Sequence, residues 1–158
     1  MAGKGIERRL AEVRAKIKQL DSVITADVNK FNAAIQELAR LKTEEEALLI
    51  VRKVVIDAYS RIVDRTPVDT GRARASWQFG FNTEPGGKLP EGDYKAMIAG
   101  IVAENVATIE AAPAAVWYIA NHLDYIEALE AGWSKQAPAG MVSLTLRELA
   151  RQLEGVKI

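Results

Sequence analysis

Chemistry in this chain could begin from very few side chains. His122 is its sole histidine; it sits in NHLDY, two residues before Asp124, and a serine such as Ser134 would complete the composition of a hydrolytic triad. Residues two apart on an extended segment point the same way, which would bring His122 and Asp124 together. A triad is defined by geometry rather than composition, and a loop histidine bonded to its surroundings accounts for NHLDY more simply. Among carboxylates, Glu44, Glu45 and Glu46 are consecutive, and Glu127 lies just before Glu130. A glycosidase needs two carboxyls facing each other across a cleft. Consecutive glutamates instead suit the first turn of a helix, where the dipole favours negative charge. Gly86-Gly87-Lys88 lacks the rest of the GxxxxGK[ST] phosphate loop, and no EF-hand spacing of oxygen ligands occurs. There is no cysteine, which excludes disulfides and thiolate zinc sites. The sequence therefore nominates no catalytic residue, no metal ligand and no cofactor, and the expectation is a protein that is not an enzyme.

Charge leaves a second possibility. The chain of 158 residues has a formal net charge of zero, so no global field points to nucleic acid or membrane. Residues 1–20 nevertheless hold six Lys or Arg (Lys4, Arg8, Arg9, Arg14, Lys16, Lys18) against Glu7 and Glu12, a net of +4 balanced by −4 elsewhere. Such a face could rest on phosphates. No recognition motif or aromatic stacking platform accompanies it, so a solvated helix face or a contact between subunits is the better reading. No run approaches the ~20 apolar residues of a membrane span, and MAGKGIERRL has no apolar core of a secretory signal.

The elements that would carry these side chains follow from periodicity. No glycine or proline occurs between Ile6 and Thr66. Ile6, Leu10, Val13, Ile17, Leu20 and Ile24 fall at heptad spacing, giving an N-terminal helix with one narrow apolar stripe. A break near residues 21–25 precedes a second helix with Val28, Phe31, Ile35 and Leu38. Thr43 with Glu46 forms a capping box, so a third helix starts near Glu44, buries Leu48, Val51, Val55, Tyr59 and Ile62, and ends before Pro67. Asp69, Thr70 and Gly71 supply turn chemistry. From Ala73 the pattern alternates: Ala73, Ala75, Trp77, Phe79 and Phe81 against Arg74, Ser76, Gln78 and Asn82, which predicts a half-buried strand. A loop rich in Gly and Pro fills residues 83–93. Asp93 caps a helix holding Met97, Ile98, Ile101, Val102 and Val106, which Pro113 ends. Residues 116–120 are apolar on both faces, the pattern of a central strand or of one covered by a subunit contact. A short helix from Asp124 stops at Gly132. After Pro138, Met141, Leu144, Leu149 and Leu153 trace a C-terminal helix, with Thr145 and Arg147 on its wetter side.

Two stretches carry a resemblance. TPVDTGRARASW (residues 66–77) and, about forty residues later, YIANHLDYIEALEAGWSKQAPAGM (residues 118–141) resemble the neck and tail-completion proteins of tailed bacteriophages, the small morphogenesis proteins grouped with minor tail protein Z of phage lambda. The resemblance covers roughly residues 51–149. It implies a structural virion protein that completes the neck or tail and helps join head to tail as part of a homo-oligomeric ring. The partners would be other neck, connector and tail proteins, at the head–tail junction of a virion assembled in the bacterial cytoplasm. Weak contact with passing DNA is compatible with the basic arm. A tail terminator or a head-side connector would share these features, and a non-viral coiled-coil adaptor is the distant alternative. It assigns no catalytic role to His122. The heptad helix in front is a departure from the shared portion, expected to act as an arm on a neighbouring subunit or neck protein.

The expected fold is α+β, a small, mainly antiparallel sheet packed by a long helix and a C-terminal helix, with an N-terminal arm at residues 1–42 and the body at 43–158. Interface residues are expected at Arg72, Arg74, Trp77, Trp133, Lys135 and Gln136, with Arg8, Arg9 and Arg14 on the arm. Arg72 and Arg74 would flank the strand on its solvent side, either pairing across an interface or within the subunit. Pro67, Asp69, Thr70, Gly71, Pro138 and Gly140 are the expected structural turns, with Trp133 anchoring the second corner.

Overall fold

A computed structural model describes residues 8, 11, 14, 15, 27–37, 40 and 43–154. The fold is α+β. Helix α1 covers residues 27–37, and α2 (Glu44–Arg65), α3 (Arg72–Ala75), β1 (Gln78–Phe81), α4 (Tyr94–Ala111), β2 (Trp117–Ala120), α5 (Ile126–Glu130) and α6 (Val142–Glu154) follow. The heptad seam expected at residues 6–24, the break at 21–25 and Arg9 lie outside the described residues.

Helix α2 starts as its sequence dictates. The Thr43 hydroxyl accepts from the Glu46 amide while the Glu46 carboxylate accepts from the Thr43 amide, each at 3.3 Å. Glu44, Glu45 and Glu46 fill the first turn, where the exposed amides favour negative charge. Its inner face buries Ala58, Tyr59, Ile62 and Val63; Leu48, Val51 and Val55 are only partly covered. Across from it, α4 begins at Asp93, whose side chain accepts from the Ala96 amide. Arg52 closes the far end of α4 by donating twice to the Ala112 carbonyl, at 3.2 and 2.7 Å.

The strand expected from Ala73 begins only at Gln78. Residues 72–75 instead form a helical turn, closed by the Ala75 amide on the Gly71 carbonyl (3.0 Å) and the Ser76 hydroxyl on the Arg72 carbonyl (2.7 Å). Alanine is small enough to be buried from either conformation, and it is the best helix former, so the alternation at 73, 75 and 77 carried no strand information. β1 pairs antiparallel with β2, Gln78 opposite Ala120 and Phe81 opposite Trp117. Among the described residues the sheet has these two strands, so β2 is an edge rather than a central strand.

The core joins Tyr59, Ile62 and Val63 of α2 to Trp77, Phe79, Ile109, Ala112, Ala137 and Met141. Asn105 runs through it as a polar tie. Its amide donates to the Tyr59 hydroxyl (2.9 Å) and the Trp77 and Ile101 carbonyls, and its oxygen accepts from the Phe79 amide (3.1 Å). Burial pushes the Tyr59 phenol above its ordinary value of 10.0, opposed by the Asn105 hydrogen bond. The C-terminal helix differs from expectation at one position. Thr145 is fully buried rather than on the wet side, donating to the Met141 carbonyl and accepting from Arg65 at 2.8 Å. Arg147 does stay partly exposed, its Nε 3.5 Å from the buried carboxylate of Asp27 on α1.

Arg65 and Arg61 both meet Glu148 across the α2–α6 contact, and Arg61 also holds Asp57. The hydrogen bond from Arg65 is the main cause that holds the Glu148 carboxyl below its ordinary 4.5; burial opposes it, and the charge of Arg65 and the contacts of Arg61 add to it. Because the folded-state value lies below the unfolded one, this contribution to stability is complete above 4.5 and is lost as pH falls through the folded value. Glu148→Gln should therefore lower the urea midpoint near neutral pH and flatten its decline on acidification. Denaturation curves at several pH values check this; parallel declines in both proteins would refute it.

Gly71 offers a second check. It has φ of 87°, and an added Cβ would lie 2.9 to 3.2 Å from Cγ, N and Cα of Lys95. Gly71→Val should cost about 1–3 kcal/mol from the backbone conformation before the clash is counted, read from the same denaturation curves.

Candidate functional site

The corner after α2 is built from side chains that close the helix. The Thr66 amide caps onto the Ile62 and Val63 carbonyls, and its hydroxyl donates to Ile62 O (2.7 Å) while accepting from the Trp77 indole N–H (2.8 Å). Arg74 reaches back along the helix end, donating to the Thr66 carbonyl (3.0 and 3.2 Å) and the Asp64 carbonyl (2.9 Å). Of the two roles open to Arg74, the structure shows the one within the subunit. Trp77, expected at an interface, is only 5% exposed and belongs to the core, because its indole is the partner Thr66 needs. Arg72 lies 5.9 Å over the ring of Tyr94, a cation–π contact.

The second corner, after α5, turns on a residue that the sequence reading weighed only as one of several carboxylates. Glu130 is buried, and its carboxylate accepts from the amides of Met141 (2.8 Å), Val142 (2.9 Å) and Ser143 (2.9 Å) and from the Ser143 hydroxyl (2.9 Å). Thus a side chain from another helix caps the start of α6 and meets its dipole. Gly140 makes room for it: with φ of 80°, an added Cβ would stand 2.7 Å from Glu130 Oε1. Pro138 turns the chain so closely that its carbonyl lies 2.5 Å from where a Cβ of Gly132 would be. Trp133, expected to anchor this corner, is 66% exposed; Glu130 is the anchor instead. A signal was available, since APAGMV places no Ser, Thr, Asp or Asn where α6 needs its N-cap.

These corners meet. The Gln136 side chain accepts from the Val68 amide (3.0 Å) and donates to the Val68 carbonyl (3.2 Å), two bonds across a separation of 68 residues. An open groove of about 820 Å³ lies over the junction, lined by Pro67, Asp69, Thr70, Gly71 and Arg72 from one side and by Tyr125, Leu129, Ser134 and Gln136 from the other, with Glu91, Gly92 and Tyr94 at its end. Tyr125 is 42% exposed in its wall. The groove therefore offers two carboxylates, one guanidinium, two tyrosine rings and backbone. Lys135 is exposed beside it. Arg8 and Arg14 are helical and exposed.

His122 and Asp124 do not form a dyad. His122 Nε2 is 2.7 Å from the Pro85 carbonyl and 3.5 Å from Glu84, tying the 83–93 loop to the end of β2. Ser134 faces the groove, bonded to the Gln136 amide (3.2 Å). Among the described residues no three His, Asp or Glu side chains are grouped to hold a metal, and no helix is long and apolar enough to cross a membrane. No family model, curated protein or solved structure matches this chain.

Removing the Glu130 carboxylate would strand three amides, those of Met141 and Ser143 buried and that of Val142 part-buried. Glu130→Ala should cost on the order of 3 kcal/mol, and Glu130→Gln should recover only part, since its NH2 faces other donors. Chemical denaturation followed by circular dichroism decides; a loss within error of wild type would show that α6 does not depend on this cap.

Proposed function

We propose that this chain is a structural virion protein of a tailed bacteriophage, completing the neck or tail as one subunit of an oligomeric ring at the head–tail junction. One observation carries the reading. The two stretches that resemble the neck and tail-completion proteins are joined through Gln136 and Val68 and together line one open groove. Their residues split into two uses. Thr66, Arg74, Trp77, Glu130 and Gly140 hold the corners, whereas Arg72, Tyr125 and Trp133 face or border the solvent-accessible surface. Exposed aromatics and arginine are the groups that dominate binding between proteins.

On this reading the work is done by binding energy and shape. A cyclic ring uses two different surfaces per subunit, one meeting the other on the next copy. The groove and the Trp133–Lys135 rim form one such surface. Its carboxylates and tyrosine rings suit a basic or apolar segment of a neighbour, and the basic residues 1–20 have that character.

A phage carrying a stop codon in this gene should accumulate DNA-filled heads apart from full-length tails in electron micrographs of lysates. The wild-type chain supplied from a plasmid should restore joined particles, whereas the folded double variant Trp133→Glu/Lys135→Glu should not. Intact, infectious particles from the stop-codon phage would overturn the assignment.

A further inference from the structure

The pairing of β1 with β2 fixes which backbone groups face outward. Asn82 donates to the Val116 carbonyl at 2.8 Å, continuing the register in which Gly80 lies opposite Tyr118. In an antiparallel ladder hydrogen-bonded and non-bonded pairs alternate. The backbones of Phe79 and Phe81, and of Trp117 and Ile119, therefore point away from the partner strand. On the β1 side that edge is occupied, because the Phe79 amide donates to Asn105 of α4. On the β2 side, among the described residues, no hydrogen bond engages the backbone of Trp117 or Ile119.

An open edge is usually protected by charge, proline or a bulge. This one has none of them within the strand, and its one protection is a length of four residues. Residues 111–123 contain no Asp, Glu, Lys or Arg, and Pro113 precedes the strand. Val116 at its start is 63% exposed, and Trp117, Tyr118 and Ile119 are half-buried. A two-stranded sheet is also marginal by itself.

We propose that the outer edge of β2 is completed by β2 of a second copy of this chain, the two strands running antiparallel across a two-fold axis at Tyr118. The other edge of the sheet is engaged by Asn105 at Phe79, so a second copy's β1 is not free to add to β2, and within this chain's own sheet β2 is the strand with an open edge. Self-pairing sets each residue near its own counterpart, which a charged strand would oppose by like-charge repulsion. The uncharged run removes that obstacle. With Tyr118 on the axis, Trp117 of one copy and Ile119 of the other exchange both backbone bonds, and the symmetric pair does the same. Tyr118 meets its counterpart as a close, non-hydrogen-bonded pair. Its side chain lies on the face opposite Phe79, Ile119 and Trp117, so the core is undisturbed. This contact is isologous and yields a dimer, whereas a ring closes through a different surface. The proposal does not depend on the phage reading.

The absence of native cysteine makes the test direct. At the axis the Cα atoms would be about 4.5 Å apart, within the roughly 4.4–6.8 Å that a disulfide spans. Full-length Tyr118→Cys should convert to a covalent dimer under mild oxidation, while Leu49→Cys, exposed on α2, should do so only by slow collision. In sedimentation equilibrium the wild-type chain should dimerise. Tyr118→Lys should raise its dissociation constant about tenfold or more, and an equimolar mixture of Tyr118→Lys with Tyr118→Glu should restore association. If Tyr118→Lys loses its circular-dichroism signal, the cross-linking rate of Tyr118→Cys decides alone. The proposal is overturned if Tyr118→Cys cross-links no faster than Leu49→Cys. It is overturned equally if the folded lysine variant associates like wild type, or if the substituted position cross-links only to a different protein.

Discussion

The hydroxyl of Thr66 is the hinge on which the fold turns. It is fully buried, and it uses both of its capacities: it donates to the last turn of α2 and accepts from the indole of Trp77. A buried hydroxyl without partners costs a few kcal/mol, so α2 can end here only if Trp77 arrives. Pro67 forbids continuing the helix. Gly71 then turns the chain back, and Arg74 takes the carbonyls of Asp64 and Thr66. With Trp77 fixed, Phe79 and the register of β1 are fixed, and with them β2. The Trp77 carbonyl in turn receives Tyr59 and Asn105, which sets the depth of α4. One helix end thus determines the relative placement of α2, α4 and the sheet.

Arginine is used throughout as internal mortar. Arg52 closes α4, Arg74 closes α2, and Arg61 with Arg65 joins α2 to α6 through Glu148 and Thr145. A planar guanidinium can serve two carbonyls or carboxylates at once, which lysine cannot do with equal geometry. Much of the positive charge on the body is therefore committed inside the subunit. The large apolar side chains left exposed on it are Leu49, Phe81, Val116, Tyr125 and Trp133.

The parts of the fold legible in the sequence are those whose physics is local. The capping box at Thr43, the Asp93 cap, the stop at Pro67 and the positive φ of Gly71 each involve residues a few positions apart. The misreadings have the opposite character. Ala73 and Ala75 alternate with arginines in a way that suits a strand, yet the decisive facts are the turn at Gly71 and the reach of Arg74 back to Asp64. Thr145 looks wet by type, but it shares the four-residue spacing of Met141 and Leu149, and its partner Arg65 lies 80 residues away. Glu130 could be found only by asking what caps α6 when its own residues do not. The candidate groove was legible as two stretches but not as one place, because Gln136 and Val68 meet through tertiary structure alone.

Saturation of the interior bears on how such a subunit could assemble. Both ends of α2 and α4 and the start of α6 are closed by side chains of the same chain, and Glu130 takes the amides of Met141, Val142 and Ser143. A body paired in this way keeps its core within one subunit, with Asp27 Oδ2 the buried side-chain atom left without a hydrogen bond among the described residues. The sites still able to form bonds are of different kinds. The edge of β2 offers backbone and is indifferent to side-chain identity as long as charge is absent. The groove offers a fixed set of side chains and is selective. An edge that pairs with itself relates two copies by a two-fold axis, whereas a groove that takes a different segment relates copies head to tail. If both proposed contacts form, one relates copies by a two-fold axis and the other head to tail, so assemblies of more than one symmetry are open to the same subunit.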